Sequence, residues 1–235
     1  MSLPTPNSPT FELKLHSVNT PVVFKPFTVK DEKIFLIAEE GNDVKDILRA
    51  IRQVVTNCCL SDVNINKLPS FDLEYFFLQL RSKSVSNISV VKYRDKEDNV
   101  VRDFEIDLDK IDLTINPNHK NVIKLTDTMT VTLKYPTIEA IESIDTLGLN
   151  NMDTAIETVA VCLDMIMDGD TVYDVSNYSK ETVLEFVNSL STQQFENIVK
   201  NFIDTMPKLF YNISYVNNLG NKREIHLEGF RSFFQ

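Results

Sequence analysis

Three acidic side chains lie close together in the sequence and could do chemistry: Asp164, Asp168 and Asp170. Grouped carboxylates can bind a divalent cation, or serve as the acid and the base of a hydrolase. The stretch Asp168-Gly169-Asp170 faintly resembles the start of a calcium-binding loop, but the regular oxygen ligands and the closing glutamate of such a loop are missing. We therefore expect a turn at the end of a helix here. A hydrolase that uses these acids is kept as an alternative function.

Nucleophiles and metal ligands are scarce, since the chain has three cysteines and three histidines. Cys58 and Cys59 are adjacent and cannot close a useful loop with each other, and Cys162 lies in an apolar run. Zinc ligands usually come in close pairs, and phosphate-binding loops need closely spaced glycines; the sequence has neither. We predict buried, reduced cysteines in a reducing compartment, and we expect no catalytic residue, no metal and no cofactor.

The composition is that of a folding, acidic chain. Its 235 residues are 43% hydrophobic, which suffices for one large domain or two small ones, and its net charge is −10. Because this charge repels phosphate backbones, nucleic acid is not an expected partner, although an acidic protein that mimics nucleic acid stays an alternative. The N-terminus lacks a signal-peptide pattern and no apolar run approaches about 18 residues. We expect neither secretion by a signal peptide nor a membrane span.

Three helices are predicted in the first half of the chain. The first begins at Thr28 and ends where Gly41 can supply a left-handed residue. The second carries a single apolar stripe from Val44 to Cys58. The third, over residues 71–84, has aromatic residues and leucines on every side, so we expect it to be buried nearly all round.

Helices are also predicted in the second half. Apolar residues at three- and four-residue spacing over 152–166 predict one helix that ends at Gly169. Ser179 can cap the next helix, and Ser191 with Gln194 has the spacing of a capping box for the last one.

Alternating or extended apolar runs predict the strands. We expect paired strands near the N-terminus, a hairpin in the middle, an extended run before Pro136 and a second hairpin at the C-terminus, over residues 11–16 with 22–24, 88–93 with 100–108, 122–135, and 210–216 with 223–227.

These elements indicate an α+β fold, in which amphipathic helices pack with antiparallel β-hairpins. Their order divides the chain into an N-terminal arm with strands over residues 1–27, a helix-plus-hairpin domain over 28–136, and a helical domain over 137–235 that closes with the C-terminal hairpin. The outgoing strands at 105–109 and 224–228 share a pattern of acidic, apolar, polar, Leu and acidic residues. A duplicated helix-plus-hairpin unit is therefore one interpretation.

Both ends of the chain offer candidate partner-binding residues. Prolines in the first residues favour an extended arm, and aromatic side chains at a chain end are costly to expose unless another surface covers them. Packing back onto their own domain is the equal alternative. The candidate partner-binding residues are Pro4, Pro6, Pro9, Phe11, Phe230, Phe233 and Phe234.

Three blocks carry a resemblance to a known family. They are Val23-Phe24-Lys25-Pro26-Phe27-Thr28-Val29-Lys30-Asp31-Glu32-Lys33-Ile34-Phe35-Leu36, Val55-Thr56-Asn57-Cys58, and Leu68-Pro69-Ser70-Phe71-Asp72-Leu73-Glu74-Tyr75-Phe76-Phe77-Leu78-Gln79-Leu80-Arg81-Ser82-Lys83-Ser84-Val85. In order and spacing these blocks resemble the baseplate hub and hub-assembly proteins of T-even-type contractile-tailed bacteriophages. The resemblance is strongest over the first hundred or so residues.

The resemblance implies a function without catalysis. It implies a baseplate hub subunit or a hub-assembly chaperone, which binds other phage hub and tail proteins in the host bacterial cytoplasm and, as a subunit, stays in the virion tail baseplate. It transfers no catalytic residue to this chain. Homo- or hetero-oligomers, the stoichiometry, the partner and the choice between subunit and chaperone stay open.

Overall fold

The computed structural model describes residues 7–41, 44–144 and 151–233. At residues 39, 44, 45, 230 and 231, which lie within these ranges, it describes the backbone alone. The contacts divide the chain into two compact units: Met1–Thr114 with Lys208–Gln235, and Ile115–Pro207. Among the described residues, no helix has the length and apolar composition needed to cross a membrane.

Runs of helices and runs of strands follow one another, and the strands form small antiparallel sheets, which confirms the α+β fold class. The helices are α1 (Val29–Glu40), α2 (Val44–Cys58), α3 (Ser70–Ser84), α4 (Ile138–Glu142), α5 (Asn151–Cys162), α6 (Lys180–Ser189) and α7 (Thr192–Ile198). The strands are β1 (Phe11–Leu13), β2 (Val22–Phe24), β3 (Ile88–Arg94), β4 (Val101–Asp107), β5 (Asp112–Thr114), β6 (Val122–Lys124), β7 (Met129–Leu133), β8 (Leu163–Asp168), β9 (Thr171–Asp174), β10 (Lys208–Val216) and β11 (Lys222–Glu228).

The first unit is built around α3, which is buried nearly all round as its sequence predicts. Its residues Phe76, Phe77 and Leu80 are at most 1% exposed. Asp72, on the same helix, is also fully buried, and its carboxylate accepts backbone N–H hydrogen bonds from His16 at 2.9 Å and Ser17 at 2.7 Å. These two bonds tie the chain after β1 to the central helix.

Three small antiparallel sheets complete the first unit. β1 pairs with β2, β3 pairs with β4, and β10 lies between β11 and β5. The predicted N-terminal strand pair and both predicted hairpins are therefore confirmed. Because β10 pairs with β5 through Lys208 and Thr114, the C-terminal hairpin joins the first unit.

This grouping differs from the three-part division expected from the sequence, which placed the C-terminal hairpin with the helices of the second half. It also separates the two halves of the suggested duplication. α3 belongs to the same unit as both hairpins, whereas α7 belongs to the other unit. The pairing of residues about 90 positions apart decides the grouping, and periodicity along the chain carries no signal of it.

The second unit is a four-stranded antiparallel sheet in the order β6-β7-β8-β9, with helices on one face. Val131 from the sheet, Val159 from α5 and Ile198 from α7 are fully buried in one apolar cluster with Phe202. The capping box of α7 is confirmed, since Ser191 N donates to Gln194 Oε1 at 2.9 Å and Gln194 N to Ser191 Oγ at 3.3 Å.

Two helix ends differ from the sequence prediction. The helix predicted to run to Gly169 stops at Cys162, and the next residues form β8, which pairs with β7. Leu163 and Ile166 stand three residues apart, which is the spacing of a helix face. In β8 both still contact the core, because the pairing with β7 shifts register between them. Gly41 has no left-handed backbone, so the predicted C-cap of α1 is wrong. The predicted start of α1 is supported, because the N–H and the hydroxyl of Thr28 both donate to Asp31 Oδ2, at 3.0 and 2.7 Å.

Candidate functional site

The three acidic residues that the sequence suggested as a catalytic or metal site, Asp164, Asp168 and Asp170, do not come together at one site. Asp164 and Asp168 lie four residues apart on extended strand β8, a separation of about 13 Å along the strand. The Asp168-Gly169-Asp170 stretch is the turn of the β8–β9 hairpin, with Gly169 at φ +58°, and it does not end a helix. Asp164 instead forms an ion pair with Lys134 at 3.0 Å. Across the described ranges, no three acidic, histidine or cysteine residues are placed to hold a metal ion.

The cysteines are protonated thiols in apolar surroundings. Cys58 and Cys162 are fully buried and all three cysteines are free. Burial raises the pKa of the Cys58 thiol to about 12, and the nearby carboxylate of Asp31 adds to this increase. Burial likewise raises the pKa of the Cys162 thiol to about 12. Neither cysteine has the thiolate that a nucleophile needs at neutral pH.

The terminal residues expected to bind partners are placed in different ways. Pro4, Pro6 and Phe234 lie outside the described residues. Pro9 is exposed, and Phe11 is half-buried in β1 with its ring 5.7 Å from the ring of Phe24.

The C-terminal aromatic segment folds back onto its own unit. Phe230 begins a 3-10 turn that ends at Phe233. The Phe233 side chain is fully buried, and its carbonyl oxygen accepts a hydrogen bond from Ser89 Oγ at 2.9 Å. The structure therefore uses Phe233 in the core of the first unit and does not offer it to a partner.

One cleft in the first unit has a lining of mixed polarity. Its volume is about 360 Å³, and Asp31, Glu32 and Arg81 line it together with apolar residues such as Phe35 and Phe77. Asp31 has a structural task here. Burial acts to raise its pKa, but hydrogen bonds from Thr28 and from Asn57 Nδ2, the latter at 2.9 Å, leave the pKa lowered overall. The charged Asp31 side chain therefore links the start of α1 to Asn57 near the end of α2.

A largely apolar face of the sheet in the second unit is exposed, with Asp174 and Lys124 each at one end of a row. The strand register aligns two rows of side chains on this face. We call it the open sheet face and define it by the apolar and threonine members of those rows: Val122, Thr130, Thr132, Met165, Met167 and Val172. Four of these are well exposed: Val122 at 52%, Met165 at 40%, Met167 at 44% and Val172 at 60%.

The opposite face of the same sheet is covered. Ile123, Val131 and Ile166 belong to it and pack against the helical core. A one-sided antiparallel sheet ordinarily presents polar side chains to water. Grouped exposed methionines and valines are instead typical of surfaces that bind other proteins, and methionine adapts to irregular partners.

An apolar groove adjoins this sheet, between the β8–β9 hairpin and α6. Its volume is about 260 Å³, and its lining includes Ile166, Tyr173, Tyr178, Val183 and Phe186. A drug-sized ligand usually fills about 300 Å³ or more, so the groove is better suited to one or two inserted side chains.

Three exposed carboxylates surround the β8–β9 hairpin, with the ammonium group of Lys134 near β8 and Asp174. Asp168 and Asp170 are exposed at its turn, and Asp174 is exposed at the end of β9. Ser176 donates to Asp174 through its hydroxyl at 2.6 Å and its backbone N–H at 2.9 Å, which lowers the pKa of Asp174. Asp174 thus stays charged at neutral pH.

The open sheet face was not visible to sequence reasoning. Met165 and Met167 fall in the stretch that helical spacing predicted as part of the preceding helix. The short apolar run Met165-Ile166-Met167 between two aspartates suits a strand as well as a helix, and it carries no signal of an exposed face.

Comparison with known proteins gives one match. The family model described as T4 bacteriophage base plate protein matches residues 8–235, which is nearly the whole chain. No curated protein and no solved structure gives a significant match.

Proposed function

The chain belongs to the T4 bacteriophage base plate protein family, and from this premise we propose that it acts in the baseplate hub by binding other tail proteins during assembly. Membership of this family supports a role in a phage baseplate and agrees with the resemblance carried by residues 23–36, 55–58 and 68–85. Its place in the hub, as a subunit or as an assembly chaperone, is the part that we propose.

The observation that carries this proposal is the open sheet face. Four exposed apolar side chains on one sheet face, two of them methionines, are costly to leave in water and suit contact with another protein. Other phage baseplate proteins are the partners that the family suggests.

We propose that the protein works without catalysing a reaction. The carboxylates near residue 164 that would have supported a hydrolase are spread along β8 and the turn after it, and Asp164 is ion-paired with Lys134. The buried thiols of Cys58 and Cys162 are held protonated. Binding through apolar contact is the activity that these observations favour. We place it in the host bacterial cytoplasm while tails assemble.

Co-expression tests the proposal directly. The full chain carries an affinity tag and is co-expressed with each of the other baseplate and tail proteins of the same phage genome. We expect a stable complex with at least one hub protein that survives gel filtration at moderate salt. Failure of every baseplate and tail protein to bind would refute the proposal.

Subunit and chaperone differ in the finished particle. Mass spectrometry of purified virions detects a permanent subunit at a fixed ratio to the other baseplate proteins. A chaperone is present in lysates of infected cells and missing from the virions.

A further inference from the structure

The edge strand β9 is the feature of this surface that the proposed function leaves unexplained. β9 is the last strand of its sheet, and within the described part of the chain its strand neighbour is β8. All four of its residues are exposed. Natural edge strands are commonly protected by short length, charged side chains, proline or a bulge, because an unprotected edge pairs with other chains. β9 is short and ends in Asp174, but its other residues, Thr-Val-Tyr, carry no charge, and it has no lysine, proline or bulge.

Both faces of β9 continue into apolar surface. The register places Val172 opposite Met167, on the open sheet face, and Tyr173 opposite Ile166, beside the groove. A strand added next to β9 would lie about 4.8 Å away and would point alternate side chains to the two faces. One set of its side chains would extend the row of Val172, and the other set would enter the groove.

The charges at the ends of β9 select the kind of strand that can bind. Asp168 and Asp170 precede β9 and Asp174 ends it, so acidic groups stand at both ends of the edge. A second copy paired antiparallel to the same strand would bring Asp170 and Asp174 of one chain beside those of the other. Like charges facing each other across strands are destabilising, and each chain carries a net charge of −10. A partner strand flanked by lysine or arginine would instead be attracted to the acidic groups at both ends of β9.

We infer that β9 is the docking edge for an extended segment of a partner protein, with apolar residues at alternate positions and basic residues at its ends. The segment adds a fifth strand to the sheet, covers Val172 on the open sheet face and inserts apolar side chains into the groove beside Tyr173. Main-chain hydrogen bonds provide affinity in this mode, and the alternate side chains provide specificity. This inference rests on the proposed function, since it names the site and the chemistry of the hub partner.

Matched variants of the full chain test the edge. The probe is the tail protein that forms the complex in the co-expression experiment. Val172→Lys places a like charge against the basic partner on the docking edge, and Val90→Lys makes the same change at an exposed valine of β3 in the first unit, outside the open sheet face. We expect the affinity to fall about tenfold or more for Val172→Lys and to change less than about threefold for Val90→Lys.

A second pair of variants tests the charge. Asp170→Lys reverses an acid at the docking edge, and Asp127→Lys reverses a fully exposed acid in the turn between β6 and β7. Both change the net charge equally. We expect Asp170→Lys to weaken the complex and Asp127→Lys to leave it within about twofold, because screened charges far from the contact contribute little.

Hydrogen exchange of the unmodified chain gives a readout that needs no variant. Complex formation is expected to slow exchange of the outward amides of residues 171–174. A complex that forms normally with Val172→Lys, or that leaves these amides unprotected, overturns the docking edge and leaves the hub function standing. Absence of any complex with the unmodified chain overturns both.

Discussion

The hydroxyl of Tyr215 donates a hydrogen bond of 2.6 Å to Oδ2 of Asp95, a fully buried carboxylate 120 residues earlier in the chain. The bond joins the tip of the β3–β4 hairpin to β10. Around it, Glu97 accepts from Arg223 Nη1 at 2.6 Å and from Asn217 Nδ2 at 2.9 Å. This polar network holds two hairpins of the first unit together, so its loss should destabilise the whole unit.

Tyr215→Phe removes the donor and keeps the ring, which lies 5.0 Å from the ring of Phe104. Asp95 then keeps the backbone N–H of Glu97 and the more distant Arg223 as partners but loses its closest one. We expect the melting temperature to fall by a few degrees. Tyr211→Phe, on the same strand outside the network, is the control. Equal melting temperatures for the two variants would show that the bond contributes nothing.

The same network predicts a loss of stability in acid. The hydrogen bond from Tyr215 lowers the pKa of Asp95, and the hydrogen bonds from Arg102 lower the pKa of Asp98. A carboxyl group with a lowered pKa stabilises the fold at every pH above its unfolded pKa of about 3.9. That stabilisation disappears as the pH falls from there through the folded pKa. We expect the urea midpoint to fall below about pH 4 for this reason.

The contribution of Asp98 to this acid loss can be isolated. Asp98→Asn should lower the free energy of unfolding at pH 7 and should flatten its decline between about pH 4 and pH 2. The variant lacks the carboxyl group whose proton uptake is linked to unfolding. Asp103→Asn changes an exposed carboxyl group of the same hairpin and serves as the control. Parallel pH profiles for Asp98→Asn and the unmodified chain would contradict the assignment.

Strong local periodicity predicted much of this fold. α2 runs from Val44 to Cys58 as its apolar stripe indicates, and both long hairpins were visible as alternating runs around a polar turn. Features decided by pairing between distant segments were not predictable. Leu163 and Ile166 have helical spacing, and β8 forms because it pairs with β7 through a register shift that the sequence does not signal. The open sheet face depends on the register of four strands, which no single segment encodes.

Asp72 provides a test of the central helix of the first unit. Its carboxylate satisfies the backbone N–H groups of His16 and Ser17, so Asp72→Ala leaves two donors without this acceptor. Since hydrogen bonds to charged groups contribute about 1.5–3 kcal/mol each, we expect the free energy of unfolding to drop by roughly 3 kcal/mol in urea denaturation. Asp62→Ala changes an exposed acid and should cost less than about 0.5 kcal/mol. A similar cost for both variants would mean that the two bonds contribute little.

The burial of the cysteines predicts their reactivity. With a pKa of about 12, the thiols of Cys58 and Cys162 are ionised to roughly one part in ten thousand at pH 8. Cys59 is half-buried, and its raised pKa has the same cause. We expect brief iodoacetamide treatment of the folded chain to label Cys59 slowly and the other two hardly at all, with all three labelled in urea. Peptide mass spectrometry measures each site, and fast native labelling of Cys162 would contradict the buried position.

The methionines of the open sheet face separate a binding role from a structural one. In the double variant Met165→Gln with Met167→Gln, two exposed side chains become polar at similar size, so the free energy of unfolding should change by less than about 0.5 kcal/mol per site. The affinity for the hub partner should fall about tenfold, because apolar contact area is lost. Val90→Gln, at 50% exposure on β3 of the first unit, is the matched control. Retained binding by the double variant would remove the open sheet face as the contact surface.

An acidic mimic of nucleic acid would behave differently in the same experiment. Its complex would dissociate at moderate salt and would tolerate the methionine changes.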